Sequence, residues 1–117
     1  MRRGEVYLYP LNGHDGAGQE ILVPVVVVTR DAINKHAPVV IIAPIQTVES
    51  GPTSRPYPSD VAVRAPEGGL TSDGLILTMQ LRAVPRRKLN HLLGLLSPAV
   101  VAEVDRALRI TLDLEEQ

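Results

Sequence analysis

The stretch Ile21-Leu22-Val23-Pro24-Val25-Val26-Val27-Val28-Thr29 constrains this chain most, because four β-branched residues stand in a row with no polar residue among them. Branched side chains lose χ1 freedom in helices and pack well on a pleated surface, so the run predicts a strand buried on both faces. Pro24 has no N–H for a ladder and is expected at the strand's entry or at a bulge, not in its middle. The run falls well short of the roughly 20 apolar residues that cross a bilayer. It reads as the core strand of a small soluble domain.

Other segments fit around it. Gly4 to Leu11 alternates as a strand with one buried face, and Asn12 to Glu20, with three glycines, reads as an exposed loop. Asp31 is placed to cap a helical turn through Lys35. Val39 to Ile45 is a second buried strand, and residues 46–59, with three prolines, form a long irregular loop of the kind that often carries function. Val61 to Ala65 is expected as an edge strand, Leu75 to Val84 as one continuous strand, Arg86 to His91 as a short helix or turn, and Leu92 to Leu96 as a short strand. Ser97 followed by Pro98 opens the clearest helix, with Val101, Val104, Leu108 and Leu112 on one stripe. The whole predicts a single domain over residues 1–117, mainly β with a C-terminal helix, its antiparallel strands closing into a small barrel.

Composition narrows the chemistry. The chain has no cysteine, which excludes disulfides, thiolate metal sites and a cysteine nucleophile and fits a reducing cytoplasm. No apolar signal segment follows Met1-Arg2-Arg3. No His, Asp and Glu cluster has metal-ligand spacing, so no metal or other cofactor is expected. The net charge is -1, yet residues 1–96 carry ten Arg and Lys against eight Asp and Glu, a balance of +2, while residues 97–117 carry two against five, a balance of -3. The body can therefore present a basic face, densest at Arg82, Arg86, Arg87 and Lys88. Stacking platforms are few, with Tyr7, Tyr9 and Tyr57 the only aromatic residues.

Several stretches, taken in order, resemble the MazF/PemK family of toxin endoribonucleases. They are Arg3-Gly4-Glu5-Val6-Tyr7, Pro24 to Thr29 with Asp31 and Asn34, Val40-Ile41-Ile42-Ala43-Pro44-Ile45, Gly69-Leu70, Asp73, Gln80-Leu81-Arg82-Ala83-Val84, Arg87-Lys88-Leu89 and Val104 to Leu112. The resemblance implies a small SH3-like antiparallel β-barrel of the MazF/PemK/CcdB type. It also implies a cytoplasmic homodimer that cleaves single-stranded RNA without metal and is blocked by an antitoxin protein, with no membrane partner.

The chain departs from the family where that chemistry lies. The family pattern has arginine just before the proline of the central strand, where this chain has Val23, and Thr or Ser after the Pro-Ile pair, where this chain has Gln46 with Thr47 next. Removing one such transition-state donor costs an enzyme about 10²–10³ in rate, so a weakened nuclease is expected. The candidate catalytic residues are His14, whose imidazole suits proton transfer near neutrality, with Arg30, Thr47 and Arg82. Gln46, Thr47, Arg55, Gln80 and Arg82 are the candidate RNA contacts, Gln80 also being a candidate buried hydrogen-bond partner. Two alternatives stand beside the nuclease. One is a catalytically silent relative that binds RNA or an antitoxin-like peptide. The other is a protein-directed inhibitor resembling a gyrase poison, for which the acidic end Asp113 to Glu116 speaks.

Overall fold

The valine run forms the centre of the sheet because its branched side chains meet apolar partners above and below. The computed structural model describes residues 1–12, 20–47 and 57–114. Among them the strands are β1 (Glu5–Asn12), β2 (Glu20–Val27), β3 (Val39–Thr47), β4 (Asp60–Val63), β5 (Gly74–Leu77), β6 (Arg82–Pro85) and β7 (Leu92–Leu95). A single-turn helix α1 (Asp31–Asn34) follows β2, and α2 (Pro98–Leu112) ends the fold. Every pairing is antiparallel, in the order β4-β5-β3-β2-β1-β7, with β6 joined to β3 off that path. The sheet curls into a half-barrel with α2 packed into its core, as the sequence predicts.

Alternation along β2 feeds two cores. Val25 and Val27 join Tyr7, Tyr9, Val40, Ile42, Val84 and Leu89 on one face, here called the tyrosine face. Val26 joins Val6, Ala43, Ile45, Ile76 and Val104 on the other, the helix face, with Val28 packed alongside. Burying a valine side chain contributes about 1.5–3 kcal/mol. The half-exposed ion pair of Arg3 with Asp105, at 2.7 Å, is worth about 1 kcal/mol at most. The core therefore dominates, and Arg3 chiefly fixes geometry: its Nε donates to Val28 O at 2.8 Å, tying the chain start to the end of β2 and to α2.

Pro24 departs from expectation. It lies inside β2, opposite Leu8 of β1. Leu8 donates its N–H away from β2, to His91 O at 3.0 Å, so Leu8 and Pro24 form a rung without hydrogen bonds. The proline nitrogen then faces the side where β2 has no partner, since pairing with β3 begins only at Val25. A missing N–H costs nothing there.

The segment expected as one strand from Leu75 to Val84 is broken by a 3-10 turn at Thr78–Gln80. Its first half pairs with the end of β3 and its second half with the start of β3. Asp31 is not the cap of α1. Arg30 holds that position without a side-chain bond, and the Asp31 carboxylate accepts the Arg3 N–H at 2.6 Å. That hydrogen bond lowers the Asp31 pKa below the ordinary carboxylate value.

Ser97 caps α2 as predicted, accepting from Val100 N–H at 3.4 Å. Val104 and Ala107 are the buried residues of the stripe, whereas Leu112 is 51% exposed, in the last turn before Asp113 takes a left-handed conformation. A 3-10 turn at Glu67–Gly69 packs on β7, and Glu67 Oε1 accepts the Ser97 N–H at 2.6 Å. That turn locks the edge strand to the start of α2.

Candidate functional site

Two prolines decide where the sheet opens. The ladder between β2 and β3 ends at Val25 opposite Pro44. Pro24 and Pro44 flank the point of divergence, and neither has an N–H with which to extend it. Beyond it β2 continues along β1, through Val23 opposite Tyr9, while β3 turns to β5, with Gln46 opposite Leu75 and Thr47 opposite Gly74. The strands thus part in a wedge. Val23 stands on one wall, half-buried, and exposed Gln46 and Thr47 stand on the other. His14 and Arg55 lie outside the described residues.

Beside the wedge lies a cavity of about 710 Å³ with walls from Leu75, Leu77, Met79 and Ile110 and a rim carrying Gln46, Gln80 and Tyr57. Tyr57 is 76% exposed, whereas Tyr7 and Tyr9 are each 8% exposed. Two of the three expected stacking platforms are therefore core residues. Gln80 is exposed in its turn and is not a buried hydrogen-bond partner. Its neighbour Thr78 holds that role, donating to Ser59 O and sharing a 2.7 Å bond with Thr111 Oγ1.

The expected catalytic group is only partly brought together. Arg82 lies opposite Ile42 and two residues before Val84, which puts it on the tyrosine face, exposed. It is four residues along β3 from Gln46, or about 13 Å at the strand rise. Arg30 follows Thr29, whose hydroxyl exchanges hydrogen bonds with the backbone of Ile41. Seven residues separate Arg30 from Val23, about 23 Å along an extended chain, so within one chain Arg30 does not share the wedge with Thr47.

Sequence reasoning missed a second cavity, of about 480 Å³, lined by Tyr7, His36, Pro38, Arg86, Arg87 and Leu89 among others. The run of cations was visible in the sequence. Its meeting with His36 depends on the register of Val39 opposite Pro85 and on the Arg86 N–H bond to Pro38 O at 2.8 Å. Tyr7 at its edge donates to Glu5 Oε1 at 3.0 Å. Burial, followed by that carboxylate, pushes its pKa up to about 12, so its phenol stays neutral at physiological pH. Among the described residues no group of three His, Asp or Glu side chains could hold a metal ion, and no helix is long and apolar enough to cross a membrane.

A curled antiparallel sheet packed on one terminal helix, with a polar-rimmed wedge where its central strands part, defines a small barrel-type toxin fold. The chain belongs to the PemK-like, MazF-like toxin family of type II toxin–antitoxin systems, whose pattern matches residues 2–112. It is similar to Endoribonuclease MazF of Staphylococcus epidermidis, with 36% identity over 114 residues, 97% of this chain and 92% of that protein. It is also similar to an endoribonuclease solved in complex with its cognate antitoxin from a mycobacterial species, with a TM-score of 0.79, 26% identity and coverage of 100% and 99% of the two chains. A MazE–MazF structure from Deinococcus radiodurans shares the fold at a TM-score of 0.76 and 22% identity, covering 98% of this chain and 97% of that one.

Proposed function

We propose that this chain is the toxin of a toxin–antitoxin pair and cleaves single-stranded RNA, without a metal ion, at the wedge between β2 and β3. The observation that carries the reading is the wedge itself, open at the position of Val23 and Gln46 in a chain that matches the family from residue 2 to residue 112. In the reaction the 2′-hydroxyl oxygen attacks the adjacent phosphorus and the bond to the 5′-oxygen breaks. One proton leaves the 2′-hydroxyl and another reaches the leaving oxygen. His14, in the segment joining β1 to β2, is the proton-transfer candidate. The Thr47 hydroxyl and Gln46 amide supply hydrogen bonds to phosphate oxygens or a base edge. Arg82, further along the tyrosine face, attracts the phosphate chain. Arg55 and Gln80 are RNA contacts, and Arg30 binds away from the reacting phosphate.

Val23 offers no donor, which supports a slow enzyme. The same observation favours a second reading, a silent relative that keeps RNA or antitoxin binding. The partners are single-stranded RNA, an antitoxin protein and a second copy of the chain, in the cytoplasm. Exposed Leu92 and Leu95 on edge strand β7 and exposed Ile21 and Leu22 on β2 support association with other protein surface. The test is incubation of purified protein with a long single-stranded RNA in EDTA. Slow site-specific cleavage at micromolar protein is expected, and intact RNA overturns the nuclease reading.

A further inference from the structure

We propose that the basic cavity formed by Arg86, Arg87 and His36 is a second RNA site, which holds a backbone phosphate of the same strand several nucleotides from the wedge. The inference rests on the RNA reading above and extends its footprint to residues outside the wedge.

The cavity lies where β6 ends against the start of β3. The Arg86 N–H bond to Pro38 O at 2.8 Å brings the cation-bearing turn Arg86–Lys88 against the His36-Ala37-Pro38 segment. Among the described residues neither Arg86 nor Arg87 has a carboxylate within ion-pair distance. Glu5, which meets this cavity through Tyr7, accepts at Oε1 from the Tyr7 hydroxyl at 3.0 Å and the Arg2 N–H at 2.6 Å. Two arginines that line one cavity and form no ion pair among the described residues leave their forked N–H groups available to a phosphate. The lining carries polar and apolar surface together, so a charged group can enter while the sugar lies against Leu89 and Pro38.

Position argues for a chain phosphate over a free one. Val23 lies opposite Tyr9, and Tyr7, two residues before Tyr9 on the same face, lines the cavity. Arg82, on β6, lies opposite Ile42, between the position of Gln46 and the start of β3. Gln46, Arg82 and Arg86 therefore mark successive points along one face, with the start of β3 about 23 Å from Gln46 at the strand rise. A strand leaving the wedge at exposed Gln46 and passing beside the buried core of this face, over exposed Arg82, reaches Arg86 and Arg87 in sequence. With Val23 unable to grip phosphate, affinity at a distance compensates for grip at the wedge. Electrostatic binding of this kind carries no base information and is sensitive to salt.

The experiment uses the full chain and uncleavable 2′-O-methyl oligonucleotides, one too short to extend beyond the wedge and one long enough to reach the cavity. The long strand is expected to bind more tightly than the short one. Arg86→Ala with Arg87→Ala is expected to weaken the long strand about tenfold or more while leaving the short strand unchanged. The slope of log affinity against log salt for the long strand should fall by roughly 0.7–1 per phosphate lost. Arg86→Lys with Arg87→Lys, keeping charge but not the fork, is expected to recover the salt slope. An unchanged thermal midpoint in each variant separates binding from folding, since the Arg86 contact to Pro38 is made by backbone. Equal affinities for long and short strands, or equal losses of both in the alanine variant, overturn the second site while leaving the wedge reading intact. Failure of both strands to bind the unaltered protein overturns the wedge reading instead. Tight binding of inorganic phosphate at the cavity that long RNA does not displace overturns the assignment to a chain phosphate.

Discussion

Val23 and Gln46 stand two residues beyond the last rung that joins their strands, Val25 opposite Pro44, on the two walls of the wedge. Continuing that register places them across from one another, where the family carries a guanidinium and a hydroxyl. Val23→Arg combined with Gln46→Thr is therefore expected to raise the rate of RNA cleavage in EDTA by about 10²–10³. Val23 is only half-buried, so an arginine there can direct its head to solvent at small cost. Cleavage no faster in the double variant than in the unaltered chain would show that these positions do not limit the chemistry.

Thr78 joins the wedge region to the terminal helix. It is 0% exposed, donates to Ser59 O just before β4, and meets Thr111 Oγ1 of α2 at 2.7 Å. Thr78→Val keeps the shape and leaves the Ser59 carbonyl without its donor, so a loss of about 1–3 kcal/mol is expected in urea unfolding. Thr111→Val is expected to cost less, about 0.5–1 kcal/mol, because Thr111 is only partly buried and its partner keeps Ser59. Equal losses in the two variants would contradict this division of roles.

Tyr7 gives an alkaline signature. Its folded pKa of about 12 lies above the ordinary value of 10.0, first through burial and then through the Glu5 carboxylate. Between those values the folded chain keeps a proton that the unfolded chain has lost, so stability falls as pH rises through this window and is fully present below it. A phenolate absorbance titration should show a late phase from Tyr7, near pH 12. Tyr7→Phe should remove the late phase. Persistence of that phase in the variant would assign it elsewhere.

Much of this fold was legible because apolar spacing reports burial directly. Val25 to Val28 announced a two-faced strand, and Ser97-Pro98 announced the start of α2. What stayed hidden depends on which strand lies next to which. Pro24 is harmless inside β2 only because β3 diverges there, and no local pattern reveals that divergence. Likewise the break at Thr78–Gln80 arises where one segment changes its partner residues along β3. Leu112 matches the helical stripe yet is exposed, because the helix outruns the core beneath it. At the candidate site, family spacing singled out Gln46 and Thr47, which stand exposed at the end of β3. The joining of Arg86 and Arg87 to His36 required the register of β6 on β3.

The closure of β7 onto the Glu67–Gly69 turn can be probed with two glycines of unlike surroundings. Gly69 has φ +78, and a Cβ placed there would sit 2.1 Å from Leu93 O, a backbone atom of the strand start. Gly4 has φ +92, but the atom nearest its added Cβ is a Val101 side-chain carbon at 3.1 Å. Both substitutions to alanine incur the left-handed backbone penalty of about 1–2 kcal/mol. Only Gly69→Ala must also push two backbones apart, which shifts β7 from the turn and disturbs the Glu67 bond to the start of α2. Gly69→Ala is expected to lose about 3 kcal/mol or more, and Gly4→Ala roughly half of that, in denaturant unfolding followed by circular dichroism. Equal stability of the two variants would mean that the turn and β7 do not touch as described.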